Sequence, residues 1–496
     1  MKKRYFTILS ASILMILAGC SDWLDVTPRS EIREDVLIST EDGYKKALIG
    51  AYILTAQRQL YGRNTSMYFP EALSRHWMLP ATNTTELYRL SNFEYTTSNV
   101  ESLISDIWIN YYKVIVQLNN ILTNVETPII SFNYDNDKLI QGEALGLRAF
   151  LHLDILRYFG PVPDNTDGAA IAIPYMTEMT KDANRLISIS YSEVVKHIEQ
   201  DLNEAERLLE NIDPILFNSN NQLNSTTATG EYRPEDSWQL YRQSRFNYYA
   251  VLGTKARFYH WIGDKAQAVA YAKQVIEAVN SDDTPKFSLA TEATYSVASG
   301  SGSNLVMFSE HLFGIHNPDL QSIIESSFKT SSATLTQTEA NLKIAYENTV
   351  HVNDIRYRVP RYWEMKTYQN GATMNHFKKY TGTDQIPTNN RVPLLRLAEM
   401  YLILIEDLPV SEAEPYFITY RIARALDASI DNSSTADEAA VLSRLEKEYR
   451  KEFYGEGQMF FFYKKHNYTR YTWPTTFVLP ADAYVIPKPK GQISFE

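Results

Sequence analysis

The chain has 496 residues, 44% of them apolar and 22% charged, the proportions of an ordinary folded protein. Its net charge of −11, with no long basic run, argues against nucleic acid and anionic lipid headgroups as partners, since both demand a cationic surface. One cysteine in the whole chain excludes a disulfide scaffold and any thiolate metal site.

That cysteine closes the first segment. Lys2, Lys3 and Arg4 form a positive start, and Tyr5 to Ala18 is mostly apolar but shorter than the ~20 residues that a membrane-spanning helix needs. Leu17-Ala18-Gly19-Cys20 then reads as a bacterial lipobox, so residues 1–19 are expected to be a secretory leader and Cys20 an acylated new N-terminus. Losing the three leader cations would move the net charge from −11 to −14. Two or three acyl chains anchor stably where one is marginal. No later stretch reaches spanning length, so lipid on Cys20 would be the whole membrane attachment, with residues 20–38 as a tether.

From there the dominant period is helical. Ser39 with Asp42 reads as a capping pair before a helix at about 39–57, with Tyr44, Leu48, Ala51 and Tyr52 on one face. A second helix is expected at about 99–125 (Ile107, Tyr111, Val114, Leu118, Ile121). A third, at about 136–158, carries Leu145, Ala149, His152 and Leu156 and is stopped by Gly160 and Pro161. Ser190 and Glu193 make a capping box for a fourth at about 191–211. Residues 240–280 read as a helix pair, turned at Gly263-Asp264 and closely packed through Ala250, Ala256, Ala266, Ala268 and Ala272; its length approaches the tetratricopeptide unit. A further helical stretch is expected at about 391–427. No strict repeat runs through the chain.

Long polar stretches separate these helices, notably about 60–98 and 281–390, and loops of that length are uncommon unless they carry function or are disordered. Residues 216–230 read as a flexible insertion. Catalytic signatures are missing: no Gly-x-Ser-x-Gly elbow, no His-Glu-x-x-His, no phosphate loop and no dinucleotide fingerprint. His311 and His316 read as a chance pair rather than a metal site. Carboxylate pairs are inevitable among 59 Asp and Glu and decide nothing.

Several segments, taken in order, resemble the SusD/RagB family of Bacteroidetes-type outer-membrane lipoproteins. These are Asp22-Trp23-Leu24-Asp25-Val26-Thr27-Pro28, then Trp108, Tyr112, Ile115 and Asn119, then Glu143, Ala144, Arg148, Ala149 and Phe150 with Tyr158 to Pro163. The Gly263-Asp264 hairpin, Arg396 to Leu402 with Glu406, and Arg450, Glu452-Phe453 and Glu456-Gly457 complete the series. Where the family continues with an Arg and a Phe-Asp-Leu-x-Arg run, this chain has Gln458 to Lys465 instead. The resemblance implies a mainly α fold: one domain over 39–496, with tetratricopeptide-like hairpins in a right-handed scaffold, long loops and few short strands. It implies a non-catalytic, surface-exposed nutrient receptor, lipid-anchored through Cys20 on the outer face of the outer membrane. Its cargo would be a glycan, handed to a SusC-like TonB-dependent transporter, or alternatively a peptide as in RagB-type members. Ser21, Asp22 and Asp25 resemble the surface-export signal of such lipoproteins. No cofactor is expected, and a structural Ca2+ is left open.

A glycan receptor needs exposed aromatic faces, which stack on the apolar side of a sugar, and planar polar groups for its hydroxyls. Three loop clusters offer them: Arg75, Trp77, Asn83 and Tyr88; Tyr362, Trp363 and Tyr368 beside Asn370; and Trp238 with Tyr241. Trp77 is the leading candidate. Arg148, Arg396, Glu399 and Glu456 are expected to hold helices together, with Arg396 and Glu399 paired three residues apart.

Overall fold

A computed structural model describes residues 37–496 except 79–82, 164–165, 181–185, 228, 230–232, 296–304, 330–334, 358–361, 368–370, 372, 382–389, 427–436 and 495. Cys20, Tyr368 and Asn370 therefore lie outside the described residues.

The protein is mainly α, with 54% of the described residues helical. The main helices are α1 (Glu41–Thr55), α2 (Phe69–Ser74), α3 (Glu86–Ser91), α4 (Ser98–Val125), α5 (Asn136–Phe159), α6 (Tyr191–Leu209), α7 (Tyr248–Ile262) and α8 (Lys265–Ile276). They continue with α9 (Glu339–Ala345), α10 (Leu397–Asp407), α11 (Val410–Ala423), α12 (Glu438–Glu452) and α13 (Gln458–Lys465). Consecutive long helices pack on one another, α4 on α5, α5 on α6 and α7 on α8, and α8 also packs on the distant α10.

Local chemistry sets the helix ends. The Ser190–Glu193 capping box forms at the start of α6, a feature worth ~1 kcal/mol. At α1 the cap moves one residue on: Thr40 rather than Ser39 accepts from Gly43 N, at 3.1 Å. Gly263 closes α7 at φ 84°, a conformation that favours glycine, and Asp264 caps α8 by accepting from Gln267 N at 3.1 Å. Ala250, Ala256, Ala268 and Ala272 are fully buried in the hairpin, whereas Ala266 is exposed.

Helix α5 is the spine. It is buried on nearly every face, so its polar residues are paired inside the protein. Arg148 makes a fork to Asp201 with both bonds at 2.7 Å, and Arg157 donates to Asp154 at 2.9 Å. Gly146 permits the closest approach, since a Cβ there would lie 2.4 Å from the ring of Phe246.

A second polar core ties the C-terminal third together. Arg396 donates to Glu310, Glu452 and Glu456, each at 2.8 Å. Arg424 reaches Glu452 at 2.8 Å, and Arg356 reaches Glu452 at 3.0 Å and Asp354 at 2.7 Å. All seven side chains are buried. Glu399 does not pair with Arg396; it takes both ends of the Arg257 fork at 2.6 Å, joining α10 to α7. Arg396 is the N-cap of α10 and points into the carboxylates instead.

The strands are few and short. β1 (His311–His316) pairs antiparallel with β5 (Arg391–Arg396), and β2 (Thr336–Gln337), β4 (Thr373–Phe377) and β3 (Trp363–Thr367) make a small sheet in that order. Several sequence boundaries shift as a result. Residues 391–396 are strand, not helix, because their Pro393 suits an extended segment and they lie against β1. Residues 240–247 are tight turns preceding α7, and the supposed loop 60–98 contains α2 and α3. Within 216–230, Asn220–Leu223 is a capped helical turn. His311 and His316 sit at opposite ends of β1; His311 is buried against Val306 O at 2.7 Å.

Candidate functional site

Two of the three predicted clusters are largely buried. Trp77 is 1% exposed: its indole N–H donates to Glu71 Oε2 at 2.6 Å, and its ring sits among Phe328, Trp363, Phe377 and Tyr454. Trp363 begins β3 and is fully buried, and Tyr362 is buried with its hydroxyl on Leu305 O at 2.6 Å. No face of these rings is open to a ligand. The expectation that Trp77, Tyr362 and Trp363 present stacking surfaces is corrected: together they form an aromatic core beneath the loops. Arg75 is half-buried in the same way, its guanidinium 3.7 Å over the Phe477 ring and its Nη1 on the backbone of Ser91. Asn83 is exposed and Tyr88 half-buried.

The third cluster does form a cleft. Asp236 accepts from Trp238 N at 2.9 Å and holds Lys45 of α1 at 2.5 Å, which fixes the short turn against that helix. Tyr241 follows in the left-handed conformation at φ 56°, turning its ring to the same side. The result is a cavity of about 340 Å³ lined by Trp238, Tyr241 and Tyr52, by Ile49 and Ile53, and by Leu240 and Ile315. Ser237, Ser244, Arg245 and His316 supply the polar lining. A mostly apolar cavity of a few hundred Å³ with a few converging polar groups is the usual form of a small-ligand site.

Buried charge stiffens its floor. Glu143 of α5 is fully buried and accepts from Tyr52 Oη at 2.6 Å, from Arg245 Nε at 3.1 Å and from Arg242, which also forks onto Asp213. Burial raises the Glu143 carboxyl, but Arg242 and Arg245 outweigh it and hold the group below its ordinary range. Arg245 then stacks 3.8 Å under the Trp238 ring and donates to its carbonyl at 3.0 Å. Trp238 is thereby pinned in one orientation, half-buried, with its indole N–H lacking an acceptor among the described residues. His316 is held below its ordinary pKa by partial burial and by Arg391, so at neutral pH it offers one donor and one acceptor.

Sequence reasoning singled out Trp238 and Tyr241 but missed Tyr52, Arg245, His316 and the two isoleucines. A signal existed in α1. Ile49 and Ile53 lie one turn apart, off the buried Tyr44-Leu48-Ala51 face, and are 40% and 59% exposed at the cleft.

Comparison with known proteins agrees with this architecture. A SusD-like family model described as "Starch-binding associating with outer membrane" matches residues 22–222. The first part of the chain thus resembles the SusD-like family. Among curated relatives, SusD-like protein P25 of Formosa agariphila is 26% identical over 154 residues, 30% of this chain and 29% of that protein. SusD-like protein P38 of the same organism is 27% identical over 203 residues, 41% and 37% of the two chains. These matches thus span well under half the length of either curated relative. Solved structures extend the likeness of fold. A SusD superfamily protein from Bacteroides thetaiotaomicron superposes with a TM-score of 0.69 at 20% identity, covering 92% of this chain and 98% of that one. A putative sugar binding protein from Bacteroides vulgatus gives 0.67 at 19%, covering 92% and 97%. Glu143, Arg148, Arg396, Glu399 and Glu456, which carry the sequence resemblance, are internal braces, and Glu143 braces the cleft itself. Among the described residues no helix is long and apolar enough to cross a membrane.

Proposed function

We propose that this SusD-type protein is a non-catalytic carbohydrate receptor of the outer membrane that holds sugar in the Trp238 cleft. The observation that carries the reading is the rigid aromatic wall of Trp238, Tyr241 and Tyr52 with hydroxyl-binding groups at its rim. A family described as starch-binding and a fold neighbour described as sugar binding support the ligand class. Acyl chains on Cys20 tether the receptor at the cell surface, and a SusC-like TonB-dependent transporter receives the cargo. Tethering beside the pore raises the effective concentration of ligand, so weak binding at each sugar suffices.

Calorimetric titration with a panel of polysaccharides and peptide mixtures tests the ligand class. Trp238→Ala is expected to weaken glycan binding by about 1–3 kcal/mol, by analogy with base stacking on aromatics. Equal affinity in the folded variant removes Trp238 from the site, and binding of peptides alone replaces the glycan reading with the RagB-like one. Release of reducing sugar by the pure protein refutes a purely receptive role. Co-purification of a TonB-dependent transporter tests the partner.

A further inference from the structure

A tight turn stands beside the Trp238 segment. Residues 133–136 lead into α5, and Asn136 N donates to Asn133 O at 3.0 Å to close the turn. Both central residues, Tyr134 and Asp135, are left-handed at φ 53°. Glycine, asparagine and aspartate are the usual residues in such places, and a bulky side chain is rare. Tyr134 is nonetheless 58% exposed, so packing does not repay the strained backbone. Strain of this kind gathers where a protein holds a ligand.

Hydrogen bonds fix the turn from both sides. Glu41 of α1 accepts from Asn133 N at 3.0 Å and from Asn136 Nδ2 at 2.7 Å. Asn136 also donates to Asp236 at 3.1 Å, and Gln239 donates to Tyr134 O at 3.2 Å. Lys45 pairs with both Glu41 and Asp236 and stands 5.5 Å from the centre of the Trp238 ring. One polar network thus seats Tyr134 and Trp238 together.

The Tyr134 ring is held as well, since its hydroxyl donates to Glu235 Oε2 at 2.8 Å. Glu235 is exposed, and an ionised carboxylate has room for further donors. Among the described residues that line the Trp238 cleft none is a carboxylate or an amide. The Tyr134–Glu235 pair therefore supplies what that cleft lacks: a strong acceptor for sugar hydroxyls beside an exposed aromatic ring.

We propose that Tyr134 and Glu235 form a second sugar subsite, so that the receptor selects an oligosaccharide long enough to reach it from Trp238. This rests on the reading of the Trp238 cleft as a sugar site. The Tyr134 ring stacks on the apolar face of one sugar unit, and Glu235 accepts from its hydroxyls. Gln239 adjoins Trp238 and bonds Tyr134 O through its side chain, which keeps the two Cα atoms within roughly 15 Å. A few linked sugar rings span that distance. Once one end of the ligand is seated, the second contact becomes intramolecular, and affinity rises with chain length.

Calorimetric titration of the full chain carrying Cys20→Ala tests the subsite, with mono-, di- and hexasaccharides of the α-glucan, β-glucan, β-mannan and xylan series. In the series that binds, the hexasaccharide is expected to bind about tenfold or more tightly than the disaccharide. Tyr134→Ala should remove most of that advantage while leaving disaccharide affinity and melting temperature unchanged. Tyr134→Phe keeps the ring and should retain more of the advantage than Tyr134→Ala, and Glu235→Ala should lose part of it. Trp238→Ala should weaken both lengths. Equal affinity for both lengths in the parent protein, an undiminished advantage in Tyr134→Ala, or a loss there that is the same for both lengths would each overturn the subsite and leave the cleft reading standing. Unaltered binding in Trp238→Ala, or no binding of any series, would overturn the cleft reading and the subsite with it.

Discussion

Glu452 is the hub of the C-terminal polar core, and its neutral isostere offers the sharpest test of how that region is held. Glu452→Gln keeps the volume but leaves Arg396, Arg424 and Arg356 facing an amide. Breaking a buried ion pair from one side costs about 3–5 kcal/mol, because the abandoned charge stays buried. Three guanidiniums lose a partner here, while Glu310, Glu448, Glu456 and Asp354 still neutralise them in part, so about 4 kcal/mol is expected. Unfolding entropy of ~2.1 cal/mol/K per residue over roughly 460 residues gives about 1 kcal/mol per degree, hence a fall in melting temperature of about 4 °C. The pH dependence is the stricter check. Burial raises the Glu452 carboxyl, but Arg424, Arg396 and Arg356 outweigh this and hold it well below its ordinary value. Its contribution is therefore complete above the unfolded carboxylate pKa and is lost as pH falls toward the folded one. Scanning calorimetry at pH 7 and at decreasing acidic pH should show the gap between wild type and variant closing on acidification. A gap below 1 °C at pH 7, or one that widens in acid, refutes the assignment of Glu452 as an ionised hub.

Trp77→Ala should destabilise the fold by about 3–5 kcal/mol, the range for deleting a buried large aromatic, and deprive buried Glu71 of its indole donor, without specifically weakening glycan; the reverse outcome would restore Trp77 to the ligand surface. Gly146→Ala drives a methyl into Phe246 inside α5, so denaturation should show a loss of about 1–3 kcal/mol, against the gain that Gly→Ala brings in an open helix. Cys20→Ala should leave the protein soluble in the periplasm; its recovery in salt-washed outer membranes would exclude the thioether lipid as anchor.

Much of the scaffold was legible because helices announce themselves locally. The 3.6-residue period of α4 and α6, the Ser190–Glu193 box and the Gly263-Asp264 turn depend on residues within one or two turns of each other, and all stand where expected. Family resemblance carried the class of protein for a related reason: its motifs are short and in order. The ion pairs were not legible. Arg257 and Glu399 lie 142 positions apart, and Arg396 and Glu456 60 apart, so no spacing rule could match them, while the nearby pair Arg396 and Glu399 was a false lead.

The candidate site divides along the same line. The sequence alone determined that tryptophan and tyrosine stand beside polar groups between the helical stretches, that the one thiol follows an apolar segment, and that the body is helical. Only the tertiary structure decided that Trp77 and Trp363 face inward and that Trp238 is braced from below by Arg245. An aromatic side chain gains free energy from burial against any apolar surface, so its identity cannot say whether it covers the core or waits for a ligand. That depends on what the rest of the chain brings to its face.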